Sequence, residues 1–92
     1  MSVWTSVEGS VTVREGCKLS LKTLITEMFS EAQPSVAQNS MLSVGRITYT
    51  FSFNFSDSNM YAAKTIESFI YKIKEFDKTA WVDLEANIRF VS

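Results

Sequence analysis

The chain has 92 residues, a hydrophobic fraction of 46% and a charged fraction of 21%, enough for one packed core and unlike a disordered tail. Nine basic residues stand against ten acidic ones, so there is no basic surplus to neutralise nucleic-acid phosphates and no acidic surplus to imitate them. With no histidine and a single cysteine, Cys17, the chain lacks the Ser-His-Asp and Cys-His nucleophile pairs, an internal disulfide and a structural zinc site of the usual composition.

Length predicts one domain over 1–92, burying about two-thirds of its surface. The opening Met1-Ser2-Val3-Trp4 carries neither a basic stretch nor an apolar segment after it, and the longest apolar runs fall short of a membrane span. The expectation is a full-length cytoplasmic protein.

The first segment alternates. Val3, Val7, Val11 and Val13 share one parity, while Trp4, Ser6, Glu8, Ser10, Thr12 and Arg14 share the other. Period two with β-branched residues predicts a strand with one buried face. Gly9 interrupts the pattern and predicts a bulge or bend. Glu15-Gly16-Cys17 reads as a turn and Ser20 as an N-cap. Leu21, Leu24, Ile25, Met28 and Phe29 follow at amphipathic helical spacing, with the helix ending near Glu31, before Pro34.

Residues 35–45 support either a short edge strand or a loop. From Arg46 the alternation is strict: Ile47, Tyr49, Phe51, Phe53 and Phe55 against Thr48, Thr50, Ser52 and Asn54. Ser56-Asp57-Ser58-Asn59 offers capping chemistry for a second helix running to Phe76, with Ala62, Ile66, Phe69, Ile70, Ile73 and Phe76 as its inner stripe. After the turn Asp77-Lys78-Thr79, a last strand sets Val82, Leu84, Ala86, Ile88 and Phe90 against Trp81, Asp83, Glu85, Asn87 and Arg89. The order strand, helix, (weak strand), strand, helix, strand predicts an α+β two-layer sandwich, ferredoxin-like β-α-(β)-β-α-β, with an antiparallel sheet and two helices on one face.

Catalytic chemistry finds little to work with. Three isolated glycines at 9, 16 and 45 make no phosphate loop, and Arg14-Glu15-Gly16-Cys17-Lys18-Leu19-Ser20 lacks the further glycines a phosphate cradle needs. Asp83 and Glu85 lie two apart on one strand, about 7 Å from each other, a spacing compatible with acid-base work but equally with a wetted sheet face. Cys17, beside Lys18 and before a helix, could be a reactive thiol or a half-buried small residue. No cofactor and no metal is predicted, and the chain reads as a non-enzyme.

The Phe-rich strand invites comparison with RNA-binding sheets. All its bulky residues share one parity, however, so exposing them would leave Thr, Thr, Ser and Asn to pack against two apolar helix stripes. They are assigned to the core, which makes nucleic acid an unlikely partner. The opposite face is the candidate binding surface: Trp4, Arg14, Thr50, Trp81, Asp83, Glu85 and Arg89, with Trp81 expected near Thr12 or Arg14, Trp4 near Arg89 or Val91, and each Trp facing a guanidinium. Tyr61 and Tyr71 form a second candidate. If residues 35–44 leave the Phe-rich strand unpaired, its edge offers a route to homodimerisation.

Val3-Trp4-Thr5-Ser6-Val7-Glu8-Gly9-Ser10 and Asn87-Ile88-Arg89-Phe90-Val91 resemble the terminal strands of small bacteriophage accessory proteins that act on host machinery. The resemblance implies a protein-binding inhibitor or adaptor directed at a host protein, defence components included, in the host cytoplasm. The rival expectation is a ferredoxin-like domain binding nucleic acid or a nucleotide, with Lys18, Lys22, Arg46, Lys64, Lys72 and Lys74 gathered into one patch.

Overall fold

The computed structural model describes residues 2–29, 32–39, 45–56 and 62–91, with side chains for all of these except 2, 3, 62 and 89–91. The elements are β1 (Ser2–Arg14), α1 (Leu21–Met28), β2 (Ser35–Gln38), β3 (Arg46–Ser56), α2 (Ala62–Phe76) and β4 (Trp81–Val91). The four strands form one sheet in the order β2-β3-β1-β4, and every neighbouring pair is antiparallel. β1 therefore lies in the middle and each helix crosses over one strand, which is the ferredoxin-like α+β arrangement.

Side-chain parity decides which face is dry. Val7, Val11 and Val13 of β1 and Phe51, Phe53 and Phe55 of β3 are buried under the helices. α1 contributes Leu21, Leu24 and Ile25, and α2 contributes Ile66, Phe69 and Ile73. Phe29 and Phe69 press into the row of strand phenylalanines. Their rings lie 4.6 Å from Phe53 and 4.7 Å from Phe55 for Phe29, and 5.8 Å from Phe51 for Phe69. Such offset and edge contacts add about 0.5–1.5 kcal/mol per pair to the area term.

α1 starts where Ser20 caps it, the Oγ accepting from the Thr23 backbone N–H at 3.4 Å. It is shorter than the periodicity predicts: its C-cap is Phe29, whose extended backbone turns the ring down into the core. The predicted stop at Glu31 and the capping segment Ser56-Asp57-Ser58-Asn59 beyond Ser56 lie outside the described residues.

Two further expectations need correction, and one open alternative closes. Phe76, placed in the inner stripe of α2, is 49% exposed, because the helix closes there and the chain turns at Asp77 toward β4. Gly9 makes no bulge: both ladders of β1 run through it without an inserted residue, Gly9 facing Phe51 on one side and Leu84 on the other. A Cβ built on Gly9 would overlap the Asp83 carbonyl oxygen and stand 2.6 Å from Leu84 Cα, so glycine is needed for the close approach of β4. The uncertain stretch contains a strand after all, since Ser35–Gln38 pairs with Tyr49–Ser52 and covers the middle of the β3 edge. The free edge of long strand is that of β4.

Candidate functional site

The open face of the sheet collects the even residues of β1 and β3 and the odd residues of β4. Glu8, Thr50, Ser52, Asn54, Asp83, Glu85 and Asn87 are exposed on it. The two indoles mark its ends, Trp4 being 42% exposed and Trp81 67%. Trp81 pairs with Thr12, eight residues along β1 from Trp4, so the two positions stand roughly 27 Å apart at strand rise. Between them lies an open depression of about 470 Å³ lined by Glu8, Ser10, Ser35, Thr50, Asp83 and Glu85, with the backbone of Gly9 at its floor.

The electrostatics of this trough are one-sided. Glu8 and Glu85 are direct cross-strand partners, and Asp83 lies opposite Ser10. Among the described residues lining the depression there is no cation. Like charges placed opposite one another weaken a sheet. The surrounding groups are hydroxyls and amides held in cross-strand contacts: Ser6 Oγ donates to Asn54 Oδ1 at 2.7 Å, and the Thr12 and Thr48 hydroxyls share a 2.9 Å hydrogen bond. Among the described residues, no three His, Cys, Asp or Glu side chains group closely enough to hold a metal ion.

Trp81 does face a guanidinium, but not that of Arg14. Arg46 stands 5.5 Å above its ring centre and donates through Nη1 to the Thr79 carbonyl at 3.0 Å. Arg14 is engaged elsewhere: its backbone N–H donates to Asp77 Oδ2 at 2.9 Å and its Nε lies 3.3 Å from Asp77 Oδ1. The register makes Arg14 and Arg46 opposite neighbours, so each takes a different acceptor in the turn from α2 to β4 and their like charges are separated. Trp4 pairs in register with Arg89, as expected, although the Arg89 side chain lies outside the described residues.

The sequence pattern assigns Asp77 only to a turn. It is 2% exposed and accepts from the Arg14 N–H, the Thr79 N–H at 2.9 Å and the Thr79 hydroxyl at 2.8 Å. These donors, the Arg14 backbone first, outweigh its burial and lower its pKa from 3.8 to about 2. The sequence signal was present in Asp-Lys-Thr, since an Asp two residues before a Thr is an Asx-turn pattern.

The remaining candidates separate. Cys17 packs against the core, and its Sγ lies 3.9 Å from the Phe76 carbonyl oxygen. Tyr71 is exposed on α2, away from the open sheet face, and Tyr61 lies outside the described residues. Lys72 pairs with Glu75 at 3.6 Å on α2, while Arg46 stacks on Trp81 at the open sheet face, so these two candidates do not share a patch. No described helix is long and apolar enough to cross a membrane.

No protein-family model matches the chain, and no curated protein matches it. Among solved structures, the de novo designed protein Foldit4 is similar over 95% of this chain and 99% of its own, with a TM-score of 0.64 and 16% identity. That likeness shows the fold alone. CutA from Synechococcus elongatus PCC7942 aligns over 94% of this chain and 80% of its own at a TM-score of 0.38 and 9% identity, too distant to carry an argument.

Proposed function

We propose that the chain is a non-catalytic protein-binding module that grips an extended, basic segment of its partner along the open sheet face. The observation carrying this reading is the acidic trough of Glu8, Asp83 and Glu85 between two exposed indoles. A cross-strand pair of glutamates costs stability, and a cationic partner offsets that cost. About eight extended residues span the distance between the Trp positions. Lysine or arginine at the middle of such a segment meets the carboxylates, and its ends lie on the indoles, side chains enriched in binding hot spots. Thr50 supplies a hydroxyl beside the trough, and Arg14 and Arg89 lie at the ends of β1 and β4. The partner class implied by the terminal-strand resemblance is a host protein, with the chain acting as an inhibitor or adaptor in the host cytoplasm.

The test is capture of a partner from cell lysate by the tagged chain, compared with Trp4→Ala and Trp81→Ala, alongside Trp fluorescence titration with a Lys/Arg-rich nonapeptide and its Glu-rich counterpart. Both variants should lose the captured protein while melting close to the parent temperature, and only the basic peptide should perturb the indoles. Undiminished capture by both variants, or equal response to both peptides, would overturn the reading.

A further inference from the structure

The two edges of the sheet are built differently. The β2 edge is four residues long and follows Pro34, both of which discourage further pairing. The β4 edge is eleven residues, Trp-Val-Asp-Leu-Glu-Ala-Asn-Ile-Arg-Phe-Val, with no proline, no glycine and no lysine. Long edges of this composition recruit another strand. The helix layer also stops short of it. Val82 and Leu84 pack against the core, but Ala86 on the same inner face is exposed and Ile88 is 49% exposed. An aliphatic side chain on the dry side of a sheet, left in water, marks a surface that lacks its cover.

We propose that a second copy of this chain supplies that cover, the two β4 strands pairing antiparallel about a two-fold axis at Ala86 to give one continuous eight-stranded sheet. The register is chosen by side-chain complementarity. With Ala86 opposite itself, the register sets Leu84 opposite Ile88, Val82 opposite position 90, Asp83 opposite position 89 and Glu85 opposite Asn87. The acidic positions of each strand therefore fall against an arginine or asparagine position of the other, and no like charges oppose in sequence register. Centring on Glu85 instead would set that carboxylate against its own copy. The pairing is made by the backbone edge of β4, and its register draws on Asp83 and Glu85, which the partner-binding reading of the open face also uses.

Sedimentation equilibrium across a concentration series tests it, together with oxidative cross-linking of Ala86→Cys in a Cys17→Ser background. Opposed residues of an antiparallel pair have Cα atoms about 4.5–5.5 Å apart, within disulfide reach. The expected results are a mass of two chains, ready cross-linking at position 86, and association weakened roughly tenfold or more in affinity by Asp83→Arg or Ile88→Lys. The double exchange Asp83→Arg with Arg89→Asp should restore the dimer, and far-ultraviolet circular dichroism confirms that each variant folds. A single-chain mass up to about 1 mM, or a dimer indifferent to Asp83→Arg and Ile88→Lys, would overturn the proposal.

Discussion

Glu8 and Glu85 face each other directly across the β1–β4 ladder, two carboxylates lining an open trough with no cation among its described residues. Relieving that opposition is expected to stabilise the free protein. Glu8→Gln and Glu85→Gln should each raise stability by about 0.2–1 kcal/mol in urea titrations at low salt, with the gain shrinking as salt screens the pair. The same variants should bind the basic nonapeptide more weakly. A loss of stability in both would mean that the two carboxylates are already compensated.

Asp77 sets a pH response. Its folded pKa of about 2 lies below the unfolded value of about 3.9, so its contribution is complete above pH 4 and is lost as the pH falls through 2. Thermal melts between pH 5 and pH 2 should show a declining midpoint, and Asp77→Asn should flatten that decline while lowering the midpoint at pH 7. An unchanged slope in the variant would place the acid sensitivity on other carboxylates.

Phe69 is fully buried and touches Phe29, Phe51 and Phe53. Phe69→Ala should cost about 3–5 kcal/mol, against a total of roughly 5–14 kcal/mol for a chain of this length. Much of the chain should then be unfolded at physiological temperature, as read by near-ultraviolet circular dichroism. A loss under about 1 kcal/mol would show that the aromatic cluster repacks around the gap.

Thr5 sits on the dry face between Phe55 and Ile88 of the neighbouring strands, with its hydroxyl fully buried and without a hydrogen-bond partner among the described residues. Thr5→Val keeps the shape and removes the unsatisfied group, so it should leave stability unchanged or raise it by up to about 1 kcal/mol. Destabilisation in chemical denaturation would reveal an acceptor for that hydroxyl.

Parity made most of this fold legible. The alternation of Ile47 to Phe55 announced both a strand and its buried face, because a one-residue slip would have turned every phenylalanine into water. β2 was ambiguous because four residues carry too little pattern to separate strand from loop. Parity places Trp81 beside Thr12 but not the guanidinium above it, because parity tells which face a side chain takes and not how far an arginine reaches, and Arg46 comes from two strands away. Phe76 and Ile88 follow the apolar pattern faithfully and are exposed all the same, since a pattern cannot say where the covering layer ends.

The central position of β1 also governs how the molecule can assemble. Ser2 must find Val91 and Thr12 must find Trp81, so the middle of the sheet is closed only when the most distant segment of the chain arrives. Until then β1 holds one open side, and the valine-rich strand is sticky and unguarded. Folding should therefore be slow for the chain's size, in the millisecond-to-second range of domains dominated by non-local pairing. On the ribosome, β1 has to wait for β4, which gives chaperones a long opportunity at β1.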